Sequence, residues 1–325
     1  MILTLTPNPS VDQTIALAEP LERGAVHRVA TTTTQAGGKG VNISRASVCA
    51  GVPSVAVLPA HREDPFVLEL LAAGVDCRPV APAGPVRVNV TIAEPDGTTT
   101  KLNSPGPEAG PEVLDALAAA MVRHAAAATW VVLAGSLPPG APVDWYAGMA
   151  ADLRGRGAQV AVDTSDAPLK ALVDALPDAA PHLMKPNADE LASFTGDDAA
   201  TLERDPAAAA AAAYQLVARG VDTVLATLGG HGAVLLAREA DGSVCAWHAT
   251  PPPTTVVSTV GAGDSSLFGF LLGRLRGLAP ADCLALGVAY GSAAAGLPGT
   301  TIPLPDQVRP DLVVVRPVPF TRGDS

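Results

Sequence analysis

The segment Thr259-Val260-Gly261-Ala262-Gly263-Asp264-Ser265 sets three small residues and one carboxylate between a β-like run, Thr254 to Ser258, and a helix-like run, Leu267 to Leu272. Glycines at a strand-to-helix turn let backbone N–H groups crowd around an anion, and a helix N-terminus adds partial positive charge. A carboxylate repels a phosphate, so Asp264 beside such a turn reads as a base that takes a hydroxyl proton while the phosphate is held nearby. The plainer reading is a helix start with Asp264 or Ser265 supporting its first turn. Ala36-Gly37-Gly38-Lys39-Gly40-Val41-Asn42 is a second small-residue segment and opens a helix at Ile43 to Ala46. Lys39 offers a point charge and Asn42 can bond hydroxyls. The order G-x-x-x-x-G-K-[ST] is absent, so this is no P-loop. A third segment, Asn8-Pro9-Ser10-Val11-Asp12, follows the first strand (Met1 to Leu5). Its Asp12 reads either as an acceptor for sugar hydroxyls or as part of an Asx-type turn.

The composition limits what these segments serve. The net charge of −11 argues against an extended nucleic-acid surface. An anionic substrate then needs a local cationic pocket. Lysine occurs only at 39, 101, 170 and 185, and two of these fall inside Gly- or Pro-marked motifs. The cysteines at 49, 77, 245 and 283 have no metal-ligand spacing, and no signal peptide precedes them. They read as reduced thiols of a cytoplasmic protein. The longest apolar run near the C-terminus, Cys283 to Leu297, falls short of a membrane span.

The elements that must position the motifs alternate. Trp130 to Ala134, Val160 to Val162, His182 to Met184, Thr223 to Ala226 and Ala233 to Leu236 are short apolar runs, as in strands buried on both faces. Helical stretches separate most of them. Pro206 to Val217 is the clearest, with Asp205 as N-cap and Pro206 at the first helical position. The pattern predicts an α/β fold with a mostly parallel central sheet and helices on both faces. Ligands in such sheets bind at the carboxyl ends of the strands. Those ends are polar here: Gly135-Ser136, Asp163, Lys185-Pro186-Asn187, Thr227 and the Gly261–Asp264 turn. The N-terminal third instead predicts short antiparallel strands, Val29 to Thr34, Arg87 to Ile92 and Thr99 to Leu102, the last two joined by a turn at Pro95 to Thr98. They form a small β lid, within roughly 12–35 and 85–104, on a single domain covering 1–325. The tail after about Val315 reads as peripheral.

Two of these segments in this order and at this separation make the chain resemble the ribokinase/PfkB family of sugar kinases over nearly its whole length. They are Gly37-Gly38-Lys39-Gly40-Val41-Asn42 and Val260-Gly261-Ala262-Gly263-Asp264-Ser265. Leu5 to Asp12, Val86 to Val90, Leu102 to Pro107 and Ala134 to Pro138 point to its phosphosugar branch, whose members act on fructose 1-phosphate, tagatose 6-phosphate or fructose 6-phosphate. The resemblance is nearest to the kinases of fructose 1-phosphate. It implies a ribokinase-like fold and transfer of the ATP γ-phosphoryl group to the C6 hydroxyl, giving fructose 1,6-bisphosphate.

The resemblance also implies roles by position. Asp264 matches the catalytic base, and Gly261, Ala262 and Gly263 the anion hole. Asp12, Gly37, Gly38 and Asn42 match sugar-binding positions. Lys39, Arg87 and Ser136 match positions near phosphate, with Arg28 a further candidate for lid closure. Thr227, Gly229 and Gly232 match the nucleotide-binding turn, and Lys185 stands beside it. Asn187 and Glu190 match the N-x-x-E element that influences Mg²⁺ and phosphate, with Glu190 acting on the metal indirectly. ATP and Mg²⁺ are the implied cofactors, and pairing of lids implies a homodimer. Lys101, Ser104 and His27 depart from the family pattern, all in or near the lid. Lys101 reads as a solvated lid charge or as an added phosphate contact. Other acceptors within the family stay open, as does a sugar-phosphate sensor without catalysis. The dinucleotide fingerprint G-x-G-x-x-G is missing after the first strand.

Overall fold

The computed structural model describes residues 1–320. In chain order the strands are β1 (Ile2–Leu5), β2 (Ser10–Leu17), β3 (Val29–Gly37), β4 (Ser54–Pro59), β5 (Asp76–Val80), β6 (Arg87–Ala93), β7 (Thr99–Asn103), β8 (Trp130–Ala134), β9 (Gln159–Asp163), β10 (Leu183–Met184), β11 (Thr223–Thr227), β12 (Ala233–Arg238), β13 (Val244–Thr250) and β14 (Val314–Pro317). Ten of them form one sheet in the order β14-β13-β12-β11-β10-β9-β8-β1-β4-β5. The pairs from β5 through β11 are parallel, and β12, β13 and β14 add an antiparallel edge.

The apolar runs are what a sheet covered on both faces requires. Along β8, Val131 and Leu133 enter one core, while Trp130, Val132 and Ala134 enter the other. The first core is roofed by helices that include Pro111–Ala125, Trp145–Arg154 and Pro206–Ala218. The second is roofed by Lys39–Cys49, Ala262–Leu275 and Pro280–Ala295. Local signals set several helix starts. Asp205 caps Pro206–Ala218 by accepting from the N–H groups of Ala207 and Ala208, with Pro206 at the first position.

The second sheet has the order β3-β2-β6-β7. β2 pairs parallel with β6 and antiparallel with β3, and β6 pairs antiparallel with β7. Strand registry puts Asp12 opposite both Asn89 and Gln35, so all three share one face.

Several expectations are corrected. Thr254 to Ser258 is irregular chain, since Pro251-Pro252-Pro253 ahead of it removes three backbone donors. Ser10 to Asp12 belongs to a strand, not to a local Asx turn: Asn8 turns its amide away from its own loop to Pro105 O at 3.0 Å and Leu137 O at 3.3 Å. The helix after Gly38 starts at Lys39, four residues before Ile43. The tail is not peripheral as far as it is described, because Val314–Pro317 pairs with β13 and Phe320 packs on Tyr214 at 5.3 Å between ring centroids.

Candidate active site

A cavity of about 670 Å³ opens at the carboxyl ends of the parallel strands, between the large sheet and the second sheet. Asp264 stands in the first turn of Ala262–Leu275, whose residues from Asp264 to Gly273 are all buried. This helix end cannot shift independently of the core. Phe268 packs edge-on against Tyr290 of the neighbouring helix at 5.1 Å. Gly261 caps the helix in a left-handed conformation, and the Ala262 N–H turns back to Thr259 O at 3.3 Å. The opening turn of a helix has no intrahelical acceptors for its N–H groups, so those at Gly263 and Asp264 face the cavity mouth along the axis. Burial pushes the Asp264 carboxyl up, against the pull of Lys39 and with the push of Asp163. The single bond from Asn42 Nδ2 at 2.8 Å offsets only part of that.

Asn42 and Lys39 come from Lys39–Cys49, which is fastened beneath β1 by a chain of buried hydroxyls. Thr4 Oγ1 meets Ser44 Oγ at 2.8 Å, Ser44 Oγ meets Ser54 Oγ at 2.9 Å, and Ser54 donates to Ile2 O at 3.1 Å. Each net bond is worth about 1 kcal/mol. The turn into this helix requires glycine at Gly38, where φ is 125° and an added Cβ would press on Thr6 Cγ2 at 2.7 Å. Asn42 Oδ1 and Thr6 Oγ1 are buried without a partner. Both residues line the cavity, so hydroxyls of a ligand would complete them.

Lys39 Nζ donates to Asp163 Oδ1 at 2.6 Å, and Lys185 Nζ lies 3.2 Å from Oδ2 of the same carboxylate. The second contact is an ion pair too bent for a hydrogen bond, since Oδ2 has no hydrogen-bond donor. Burial alone would lower the Lys39 ammonium. Asp163, with Asp264 beyond it, outweighs that and holds it above its ordinary value. Burial likewise works to raise Asp163, and the two lysines bring it below the usual carboxylate range.

The second sheet supplies the opposite wall. Asp12 Oδ1 accepts from Ser10 Oγ at 2.8 Å and Asn89 Nδ2 at 3.2 Å, and burial pushes its carboxyl up. Arg87 Nη1 donates to Ser104 O at 2.8 Å, and Nη2 to Asn8 O at 3.2 Å and Ser136 Oγ at 3.4 Å. Its Nε is buried and unpartnered. Burial lowers the Arg87 guanidinium, and Asp12 opposes the change.

Of the residues singled out in sequence, Asp12, Gly38, Lys39, Asn42, Arg87, Ser136, Lys185, Asn187, Thr227, Gly229, Gly232 and Gly261 to Asp264 all line this cavity. Two stand apart. Gly37 lies behind Asp12, where any Cβ would overlap the carboxylate. Glu190 is occupied in a capping box, its Oε2 accepting from Asn187 N at 2.9 Å while Asn187 Oδ1 accepts from Glu190 N at 2.8 Å. Arg28 is exposed just before β3. Lys101 is exposed on β7, opposite Thr91 and on the face that carries Asp12. Thr6, Asn8 and Asn89 line the cavity without having been singled out as site residues. For Asn89 a signal existed: period-two alternation puts it on the face of Arg87. The pairing of Asp163 with two lysines had no local signal, because it joins a helix start and two strand ends far apart in sequence.

The arrangement is a buried carboxylate at a helix N-terminus, facing polar side chains on one wall and a glycine turn on the other. The chain matches the model of the pfkB family carbohydrate kinases over residues 5–307. The chain belongs to that family. The 1-phosphofructokinase of Rhodobacter capsulatus is 38% identical over 312 residues, covering 94% of each chain. The 1-phosphofructokinase of Haloferax volcanii is 38% identical over 306 residues, covering 93% of each. Among solved structures, phosphofructokinase-2 from Escherichia coli in complex with substrates and products superposes with a TM-score of 0.83 at 26% identity, over 94% of this chain and 96% of that one. The fold of this pfkB kinase is accordingly ribokinase-like, and the protein is a phosphotransferase with an alcohol group as acceptor. No helix among the described residues is long and apolar enough to cross a membrane.

Proposed function

We propose that this pfkB kinase transfers the γ-phosphoryl group of ATP to the C6 hydroxyl of fructose 1-phosphate, giving fructose 1,6-bisphosphate. The observation that carries the chemistry is the buried Asp264 carboxylate, facing a shared cavity from the first turn of Ala262–Leu275. Similarity to 1-phosphofructokinases over nearly the full length of both chains supports the acceptor.

In this reading the C6 hydroxyl gives its proton to Asp264 as its oxygen bonds to the γ-phosphorus. The bond from that phosphorus to the bridging oxygen breaks, and ADP leaves. In the turn Gly261-Ala262-Gly263 the Ala262 N–H is taken by Thr259 O, so the N–H groups of Gly261, Gly263 and Asp264 and the helix dipole meet the charge on the transferring group, where each preorganised donor is worth a few kcal/mol. Asp12 and Asn42 orient the sugar hydroxyls. Arg87 and Ser136 face the phosphate already on the sugar and Lys39 stands between it and Asp264, which is how a chain of net charge −11 accommodates a dianion.

The nucleotide lies along Thr227, Gly229 and Gly232, with Lys185 at its phosphates. A Cβ at Gly232 would overlap Ala249 O, so this wall is bare backbone. Mg²⁺, when bound, would offset the charge of the nucleotide phosphates. Asn187 and Glu190, bonded to each other in the capping box, would act on such an ion at one remove. Cytoplasm, where both substrates occur, is the setting this reading implies.

The second sheet acts as a lid that excludes water from the γ-phosphorus. Its outer face carries Ile15, Val88, Val90, Ile92 and Leu102, with Val88 41% and Leu102 56% exposed. A second copy of the chain covers that face in a homodimer. Light scattering on Leu102→Glu checks this, since the variant should run as a monomer if the face is the contact.

ADP release measured with MgATP and each of fructose 1-phosphate, fructose 6-phosphate and tagatose 6-phosphate tests the acceptor. The highest kcat/KM is expected for fructose 1-phosphate. Preference for a 6-phosphate would keep the mechanism and replace the substrate.

A further inference from the structure

Asp163 ends β9 with a side chain wholly removed from solvent, and it is not part of the cavity wall. Its two oxygens nevertheless divide between two ammonium groups that do line the wall. Oδ1 takes Lys39 at 2.6 Å, and Oδ2 takes Lys185 at 3.2 Å. Lys39 opens the helix that carries Asn42, on the sugar side. Lys185 follows β10 on the nucleotide side, and its Nζ would sit 3.4 Å from a Cβ at Gly263, directly against the Gly261–Gly263 turn.

A buried triad of this kind is a poor source of stability, because desolvation consumes most of the Coulombic gain. It does fix geometry. Two other carboxylates, Asp264 and Glu190, are close enough to attract both lysines. Without a carboxylate beneath them, the lysines would settle on the base or on the capping glutamate. Half of the four lysines in the chain belong to this one arrangement.

We infer that Asp163 is a positioning residue that clamps Lys39 and Lys185 on either side of the point where the phosphoryl group changes hands, and keeps both off Asp264. The inference rests on the kinase reading above. It assigns Asp163 no contact with sugar, nucleotide or metal. Its effect passes through the lysines, so it should appear in kcat and vanish once they are gone.

The test is a double-mutant cycle on Asp163→Asn and Lys185→Met, run by kinetics and by denaturant unfolding. Asp163→Asn should lower kcat about 100-fold while the KM values for sugar phosphate and MgATP stay within about threefold, the mark of an interaction made in the transition state. The double variant should be hardly slower than the slower single one, as for residues acting as one unit. A multiplicative loss would overturn the inference, and so would full recovery of Asp163→Asn at raised Mg²⁺, which would make the carboxylate a metal group. The unfolding cycle reads the clamp whatever the acceptor, and additive stabilities there would also overturn it. If the wild type ignores fructose 1-phosphate, the substrate reading falls, and the kinetic cycle runs on whichever acceptor it does use.

Discussion

Asn42 donates its side-chain amide to Asp264 across 2.8 Å, joining residues 222 positions apart. The bond engages Oδ2 of the carboxylate, and Oδ1 has no side-chain hydrogen bond among the described residues. It also couples the two small-residue segments of the chain into one unit. Asp264→Asn should therefore keep the fold and nucleotide binding but lower kcat by roughly 10²–10⁴-fold, the usual worth of a positioned base. Single-turnover phosphoryl transfer measures this, and a rate near that of the wild type would remove Asp264 from the role.

The pH dependence follows from the same bond. Burial raises the Asp264 carboxyl above its ordinary value, with Lys39, Asp163 and Asn42 modifying the shift. A base works deprotonated, so activity is lost as pH falls through that raised value. The acid limb of kcat/KM should lie above the ordinary aspartate value of about 3.9. Asn42→Ala removes a donor that stabilises the charged form, so the limb should move to still higher pH. Movement to lower pH would contradict the assignment.

Gly37 and Asp12 give a test confined to the sugar side. A methyl group at position 37 has no room beside the Asp12 carboxylate. Gly37→Ala should raise KM for the sugar phosphate at least about tenfold by displacing Asp12, with KM for MgATP unchanged. A matched rise in both constants would show that the damage spreads beyond the sugar pocket.

The helix behind Asp264 should be intolerant of voids. Phe268 is fully buried and meets Tyr290 edge-on. Phe268→Ala should cost about 3–5 kcal/mol, read as a lower denaturant midpoint at unchanged slope.

The sequence was most legible where one residue type has one physical use. Glycine runs beside a lysine or an aspartate marked both halves of the candidate site, and alternating apolar runs marked the parallel strands. Legibility failed where tertiary pairing decides. Ser10 to Leu17 is polar enough to pass for a loop, and it becomes a strand because β3 and β6 satisfy its backbone on both sides. Val314–Pro317 is a strand only because β13 offers an open edge. Thr254 to Ser258 has the β-branched composition of a strand, yet the prolines before it and the cavity beside it leave it unpaired. The polar strand ends were readable individually. That Asp163 holds Lys39 and Lys185 at once depends on β9 lying beside β10, with the helix Lys39–Cys49 at their shared end.

The chain passes from the large sheet to the small one between Leu5 and Ser10, and returns at Gly38 between β3 and the helix Lys39–Cys49. Arg87 begins β6 and pins this junction, bonding Asn8 O on one passage and Ser104 O on another. The cavity-lining side chains thus sit where the two sheets join, and the turn at Pro95 to Thr98 is the far end of the small sheet. Were the small sheet to swing, that turn would travel through a wide arc while Asp12 and Lys39 moved little. Residues added at the tip should leave the chemistry intact. One residue added between Leu5 and Ser10 would shift the pivot itself, and every sugar contact with it.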